Sequence, residues 1–123
     1  MNKDISILVV DDSAFMRQYI IGFLHELGYE KISEAGNGPA ALNAVNESMP
    51  DVVLLDMIMP IMDGMEALEK LVELNARVIV VTAMGQRITI VKAIEKGARG
   101  YFVKPFFTAH ELGRKIEEVI NED

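Results

Sequence analysis

Asp11, Asp12, Asp56, Thr82 and Lys104 each stand where a short apolar run stops. Asp11 and Asp12 follow Ile5 to Val10, and Asp56 follows Val52-Val53-Leu54-Leu55. Thr82 follows Val81, and Lys104 follows Val103. Three carboxylates packed together repel, and one is driven to bind a proton unless a cation joins them. With oxygen donors only and no His or Cys alongside, that cation is a hard one. Magnesium is favoured, because it keeps several waters and uses few carboxylates plus a phosphate oxygen. Lys104 adds a second positive charge. The set suits a dianionic phosphoryl group, whose transfer needs mainly positioning and charge neutralisation.

Taken singly, most of these residues have plainer uses. Asp12 or Ser13 is suited to cap a helix that follows, Thr82 to serve a turn, and Lys104 to sit in solvent. Asp56 resists such a reading, since it directly follows four apolar residues and no good helix starts at Met57. The conjunction of three acids, a hydroxyl and a lysine at run ends is what carries the chemistry.

The elements that position them alternate short apolar, β-branched runs with helical periodicity, the pattern of a parallel sheet wrapped by helices. Strands are expected over Ile5 to Val10, Lys31 to Ala35, Val52 to Leu55, Arg77 to Val81 and Gly100 to Val103. Ser13 to Leu27 reads as the first helix, with Met16, Ile20, Leu24 and Leu27 at helical spacing and Gly28 as its stop. Pro39 to Glu47 is a short second helix, with Asn37 near its start. A loop carrying Pro60 leads to a capping-box-like Asp63 and Glu66, and Gln86 to Lys96 is the fourth helix, ended by Gly97. Val72 to Arg77 is short, so the third helix ends early. Thr108 and Glu111 cap the last helix, whose apolar stripe is Leu112, Ile116, Val119 and Ile120. Five strand–helix repeats give a doubly wound α/β fold, and right-handed crossovers gather the strand C-termini on one edge. Ligands of open α/β sheets bind beyond that edge. Neighbouring strands are ~4.8 Å apart, so residues at adjacent strand ends reach a common ligand.

A chain of 123 residues, half of them hydrophobic, fits one compact domain over residues 1–123 and can form a proper core. With no cysteine there are no disulfides or thiolate metal sites. A reducing, cytoplasmic location is the expectation. Asn2, Lys3 and Asp4 lead into an apolar run only about five residues long, unlike a signal peptide. No apolar stretch approaches the ~20 residues that span a bilayer, so membrane insertion is not expected. The net charge of −7, with acids spread along the chain, speaks against direct nucleic-acid binding.

The chain resembles response regulator receiver domains, and among them the stand-alone CheY-type chemotaxis regulators. The resemblance rests on Val9-Val10-Asp11-Asp12-Ser13, on Leu54-Leu55-Asp56-Met57 with Met59-Pro60 and Asp63-Gly64, on Val81-Thr82-Ala83, and on Lys104-Pro105-Phe106. Their order and approximate spacing match over essentially the whole chain. The resemblance implies a flavodoxin-like sheet of five parallel strands in the order 2-1-3-4-5, the order of this family, with five helices. It implies that Asp56 accepts a phosphoryl group from the phosphohistidine of a histidine kinase. By the same resemblance, Mg2+ is ligated by Asp12, Asp56 and the backbone carbonyl of Ile58, with Asp11 acting through water. Lys104 then pairs with the phosphoryl group or, in its absence, with Asp56. Thr82 is expected to bond a phosphoryl oxygen and draw its loop inward, and Tyr101 to turn inward after it. A cis Lys104–Pro105 peptide would aim the lysine. The fourth helix, fifth strand and fifth helix would form the output face toward a protein target, the flagellar motor switch in chemotaxis. Activation would shift a pre-existing equilibrium, with no enzymatic turnover beyond the domain's own phosphorylation and dephosphorylation.

Ile58 and Met84, two residues beyond Asp56 and Thr82, are apolar where many relatives carry polar groups that place the hydrolytic water. A long-lived phosphorylated state is therefore expected. Ser13-Ala14-Phe15-Met16-Arg17 and Ala83-Met84-Gly85-Gln86 look closest to chemotaxis receivers without an output domain. A phosphorelay intermediate, or a receiver domain cut from a longer DNA-binding regulator, would carry the same residues. A flavodoxin-like binding protein would want a Ser/Thr- and Gly-rich loop after the first strand, where Asp11-Asp12 would repel phosphate. A haloacid-dehalogenase-type hydrolase would want Asp-x-Asp there, whereas these acids are adjacent.

Overall fold

A computed structural model describes residues 3–59, 61–83, 87–104 and 108–122. Readings that involve Asn2, Pro60, Met84, Gly85, Gln86, Pro105 or Phe106, the cis Lys104–Pro105 peptide among them, lie outside those residues.

The strands are β1 (Ser6–Val10), β2 (Lys31–Ala35), β3 (Val52–Asp56), β4 (Val78–Ala83) and β5 (Gly100–Lys104). Between and after them run α1 (Ala14–Glu26), α2 (Gly38–Glu47), α3 (Gly64–Glu73), α4 (Arg87–Glu95) and α5 (Ala109–Ile120). All strand pairs are parallel, in the order β2-β1-β3-β4-β5. Both faces of the sheet are covered, which is why its inner strands read as unbroken apolar runs. β3 is buried along its whole length, whereas the edge strand β2 buries only Ala35 fully.

Alternation along each strand divides the core in two. Leu8, Val10, Val53, Leu55, Val78 and Val80 face α2, α3 and Ala93 of α4. Ile7, Val9, Val52, Leu54, Ile79, Val81 and Phe102 face α1 and α5, where Ile20, Leu24, Leu112, Ile116 and Val119 are buried. Helix starts follow the expected caps. Ser13 accepts from the Met16 amide at 3.2 Å, Asn37 from Ala40 at 2.8 Å, Asp63 from Glu66 at 2.9 Å and Thr108 from Glu111 at 3.2 Å. Gly28 and Gly97, past the ends of α1 and α4, have φ of 97° and 109°, where a side chain would be strained. Among the described residues, no helix is long and apolar enough to cross a membrane.

β3, β4 and β5 run further at their C-terminal ends than local sequence suggests, whereas β1 and β2 end where expected. Asp56 pairs with Val81 inside the ladder, and Thr82 and Ala83 pair with Val103 and Lys104. Asp and Lys are poor strand formers, but each is flanked by an already aligned neighbour that supplies the hydrogen bonds. Asp56, Thr82 and Lys104 thus lie within the strands and their backbone is part of the sheet, while Asp11 and Asp12 follow the end of β1. At the other end, β4 begins at Val78 and not at Arg77; α4 closes one residue before Lys96, within ordinary fraying.

Candidate functional site

Among the described residues, the buried polar or charged ones are Asp11, Asp56 and Thr82, at 1 %, 5 % and 1 % exposure. All lie at the C-terminal edge of three adjacent strands, β1, β3 and β4. Folding does not bury carboxylates without compensation, so their concentration at one edge marks that edge as the chemical one.

β1 delivers Asp11 and Asp12. Every polar group of Asp11 is engaged: its amide donates to the Ala35 carbonyl at 3.1 Å, and Oδ1 accepts from the Ser13 amide at 2.9 Å. Oδ2 accepts from Lys104 Nζ at 3.0 Å, and the carbonyl oxygen accepts from Arg17 Nη1 at 2.7 Å. Ser13 takes the helix cap, which leaves the exposed Asp12 carboxylate outside that role. Carboxylate oxygens of Asp11, Asp12 and Asp56 lie within 4.8 Å of one another. The donors are all hard oxygens. They fit a cation such as magnesium, and the soft-ligand metals find no partner in this set.

Asp56, the last residue of β3, is flanked by two donors. The Ile58 amide reaches Oδ1 at 3.2 Å, and Lys104 Nζ stands 3.5 Å from Oδ2. Burial, and then the charge of Asp11, push the Asp56 pKa up to about 6, against the pull of Lys104 and the Ile58 amide. Crowding of acids was the expected cause of such a rise; burial is the larger one. Burial also works to lower the Lys104 pKa, but its hydrogen bond to Asp11 and the charges of Asp56 and Asp11 outweigh that, so it is raised. The lysine therefore stays an ammonium, and it bridges two carboxylates: Asp56, the expected partner, at 3.5 Å, and Asp11, closer, at 3.0 Å.

Thr82 sits one residue beyond the Asp56–Val81 pair, and its hydroxyl donates to the Phe102 carbonyl across a long 3.5 Å. Tyr101 is 46 % exposed on β5, and Ile58, whose amide bonds Asp56, is 60 % exposed. Sequence reasoning missed Arg17, which holds the Asp11 carbonyl and, through Nε, Glu34 Oε1 at 2.8 Å. Helical spacing from Ser13 gives only its position on α1; the signal is a basic residue one turn past a cap, too common to stand out.

The edge can hold a divalent cation, place an ammonium beside it and present one buried carboxylate. Residues 7–117 match the response regulator receiver domain family. The chain is 44 % identical over 117 residues to the chemotaxis protein CheY of Bacillus subtilis (strain 168), covering 94 % of this chain and 97 % of that one. Among solved structures it is similar to the receiver domain of NtrX from Brucella abortus, with a TM-score of 0.90 and 30 % identity over 96 % of this chain and 100 % of that one. It is also similar to a chain of the CheX–CheY–BeF3–Mg2+ complex from Borrelia burgdorferi, with a TM-score of 0.87 and 30 % identity over 96 % of this chain and 90 % of that one. The buried acids at the strand ends and these matches agree, and the chain belongs to the response regulator receiver domain family.

Proposed function

We propose that this chain, as one receiver domain over residues 1–123, is a phosphorylation-activated switch of a two-component chemotaxis system, working in the cytoplasm. The observation that carries the reading is the burial of Asp56 between the Ile58 amide and the Lys104 ammonium, with two more carboxylates within reach. The likeness to CheY of Bacillus subtilis supports the chemotaxis assignment.

Asp56 is the phosphoryl acceptor. One of its carboxylate oxygens attacks phosphorus, the bond from phosphorus to the histidine nitrogen of a kinase breaks, and the imidazole leaves. Asp12, Asp56 and the Ile58 carbonyl would hold Mg2+, with Asp11 acting through water. When bound, the ion supplies charge that offsets the incoming phosphoryl oxygens. Lys104 already lies at ion-pair distance from Asp56 and adds a second charge on that side. Thr82 exchanges its long bond to Phe102 for a phosphoryl oxygen, and Tyr101 follows it inward. The altered α4–β5–α5 face then meets a protein target, the flagellar motor switch. The domain promotes its own phosphorylation and dephosphorylation and turns over no other substrate.

Incubation with acetyl phosphate and Mg2+, followed by mapping of the modified residue, tests this. The expected result is one phosphoryl group on Asp56 that needs Mg2+ and is absent from Asp56→Asn. Modification elsewhere, or none, would overturn the reading.

A further inference from the structure

The Asp12 carboxylate is exposed, and among the described residues no side-chain hydrogen bond or ion pair holds it. Its position is therefore set by its backbone. The peptide plane that enters Asp12 carries the Asp11 carbonyl, and that oxygen accepts from Arg17 Nη1 at 2.7 Å. Arg17 is in turn oriented by Glu34 on β2, which accepts from its Nε at 2.8 Å. Both bonds are short and charge-assisted, the stronger kind of protein hydrogen bond. The guanidinium spends one edge on a carboxylate and another on a backbone carbonyl, so it is not a simple ion pair. It spans α1, β2 and the β1–α1 turn with a fixed fork, a geometry that a lysine ammonium does not reproduce.

From this we infer that Arg17 is a positioning residue for the cation site: by fixing the Asp11–Asp12 peptide plane against Glu34, it places Asp12 toward Asp56. The inference deepens the proposed function and rests on its reading of the three aspartates as magnesium ligands. Groups that orient metal ligands without touching the metal typically contribute about 10- to 100-fold in affinity.

The sign of the effect separates positioning from charge. A cation near the site opposes Mg2+ binding, so electrostatics alone predicts that Arg17→Met tightens it. Positioning predicts a loss of about tenfold. Magnesium chloride titrations of the folded chain, followed by the NMR amide signals of Asp12 and Ser13, read the affinity. Arg17→Lys keeps the charge and loses the fork; it should lose severalfold affinity, and it answers the question if Arg17→Met does not fold. Glu34→Gln should weaken binding in the parent and add nothing to Arg17→Met, because the two act through one path. Unchanged or tighter Mg2+ binding in Arg17→Met, or parental affinity in Arg17→Lys, overturns the inference. Acetyl phosphate labelling of the parent is the separate control. Labelling at Asp56 with parental magnesium affinity in the variants sinks the inference alone. The expected losses without labelling sink the switch reading and leave the positioning intact.

Discussion

The Lys104 ammonium lies 3.0 Å from Asp11 and 3.5 Å from Asp56, so a single cation bridges the ends of β1 and β3 from β5. A divalent ion bound at these aspartates would compete with it for their negative charge. Lys104→Met removes that competitor, and Mg2+ affinity should rise by about tenfold at neutral pH. Phosphoryl acceptance from acetyl phosphate should fall at saturating Mg2+, because the second charge is gone. Titration and labelling rates measured on one preparation check both halves.

Burial makes ionised Asp56 a liability when no metal is bound. Its pKa in the folded chain, about 6, lies above the ordinary 3.8. A raised carboxyl pKa means that the folded state holds the proton more tightly than the unfolded one. The contribution is complete below the unfolded pKa and is lost as pH rises through about 6. In the presence of a chelator, Asp56→Asn should be more stable than the parent by about 1–2 kcal/mol at pH 7.5. The gain should vanish near pH 4, which denaturant unfolding at the two pH values would read.

Gly64 is required by a close approach. A Cβ there would stand 2.3 Å from Met57 Cα and 2.5 Å from the Met57 carbonyl oxygen, both backbone atoms that cannot swing aside. The Gly64 amide also donates to that carbonyl at 3.1 Å, which closes the loop after Asp56. Gly64→Ala should destabilise the chain by roughly 2–4 kcal/mol and weaken Mg2+ binding through the displaced Ile58 backbone. Thermal unfolding and magnesium titration measure the two effects.

Thr82 holds the Phe102 carbonyl at only 3.5 Å, beyond the usual range for a hydroxyl bond. Removing the hydroxyl in Thr82→Val should therefore change metal-free stability by less than about 1 kcal/mol. The variant should still take a phosphoryl group on Asp56 but show smaller shifts of the Tyr101 amide on phosphorylation. Full shifts in Thr82→Val would remove Thr82 from the switch.

Ile58 leaves the approach to Asp56 without a polar side chain at that position, since its exposed side chain is apolar. Ile58→Asn and Met84→Glu should each shorten the phosphorylated state's lifetime, by providing a group that orients water. Decay of labelled protein after removal of the phosphodonor would show it, and parental lifetimes in both would count against the expectation.

Much of the molecule is legible from local chemistry. The apolar runs around Leu8, Val53 and Val80 announce buried parallel strands, and Ser13, Asn37, Asp63 and Thr108 mark helix starts, because capping is a relation between residues three apart. The acids at run ends, Asp11, Asp12 and Asp56, are likewise readable, since strand-end position follows from the runs themselves. Partners distant in sequence are another matter. That Lys104 favours Asp11 over Asp56, or that Arg17 ties the Asp11 carbonyl to Glu34, depends on how β5 and α1 lie against β1 and β2. The height of the Asp56 pKa belongs to the same class, for burial is the main cause and no local pattern measures it. Residue types and their spacing therefore determined which groups are available at the edge. Only the packing of the sheet and its helices decided which of them share charge, because electrostatic coupling depends on distance and solvent exclusion, and both are properties of the folded chain.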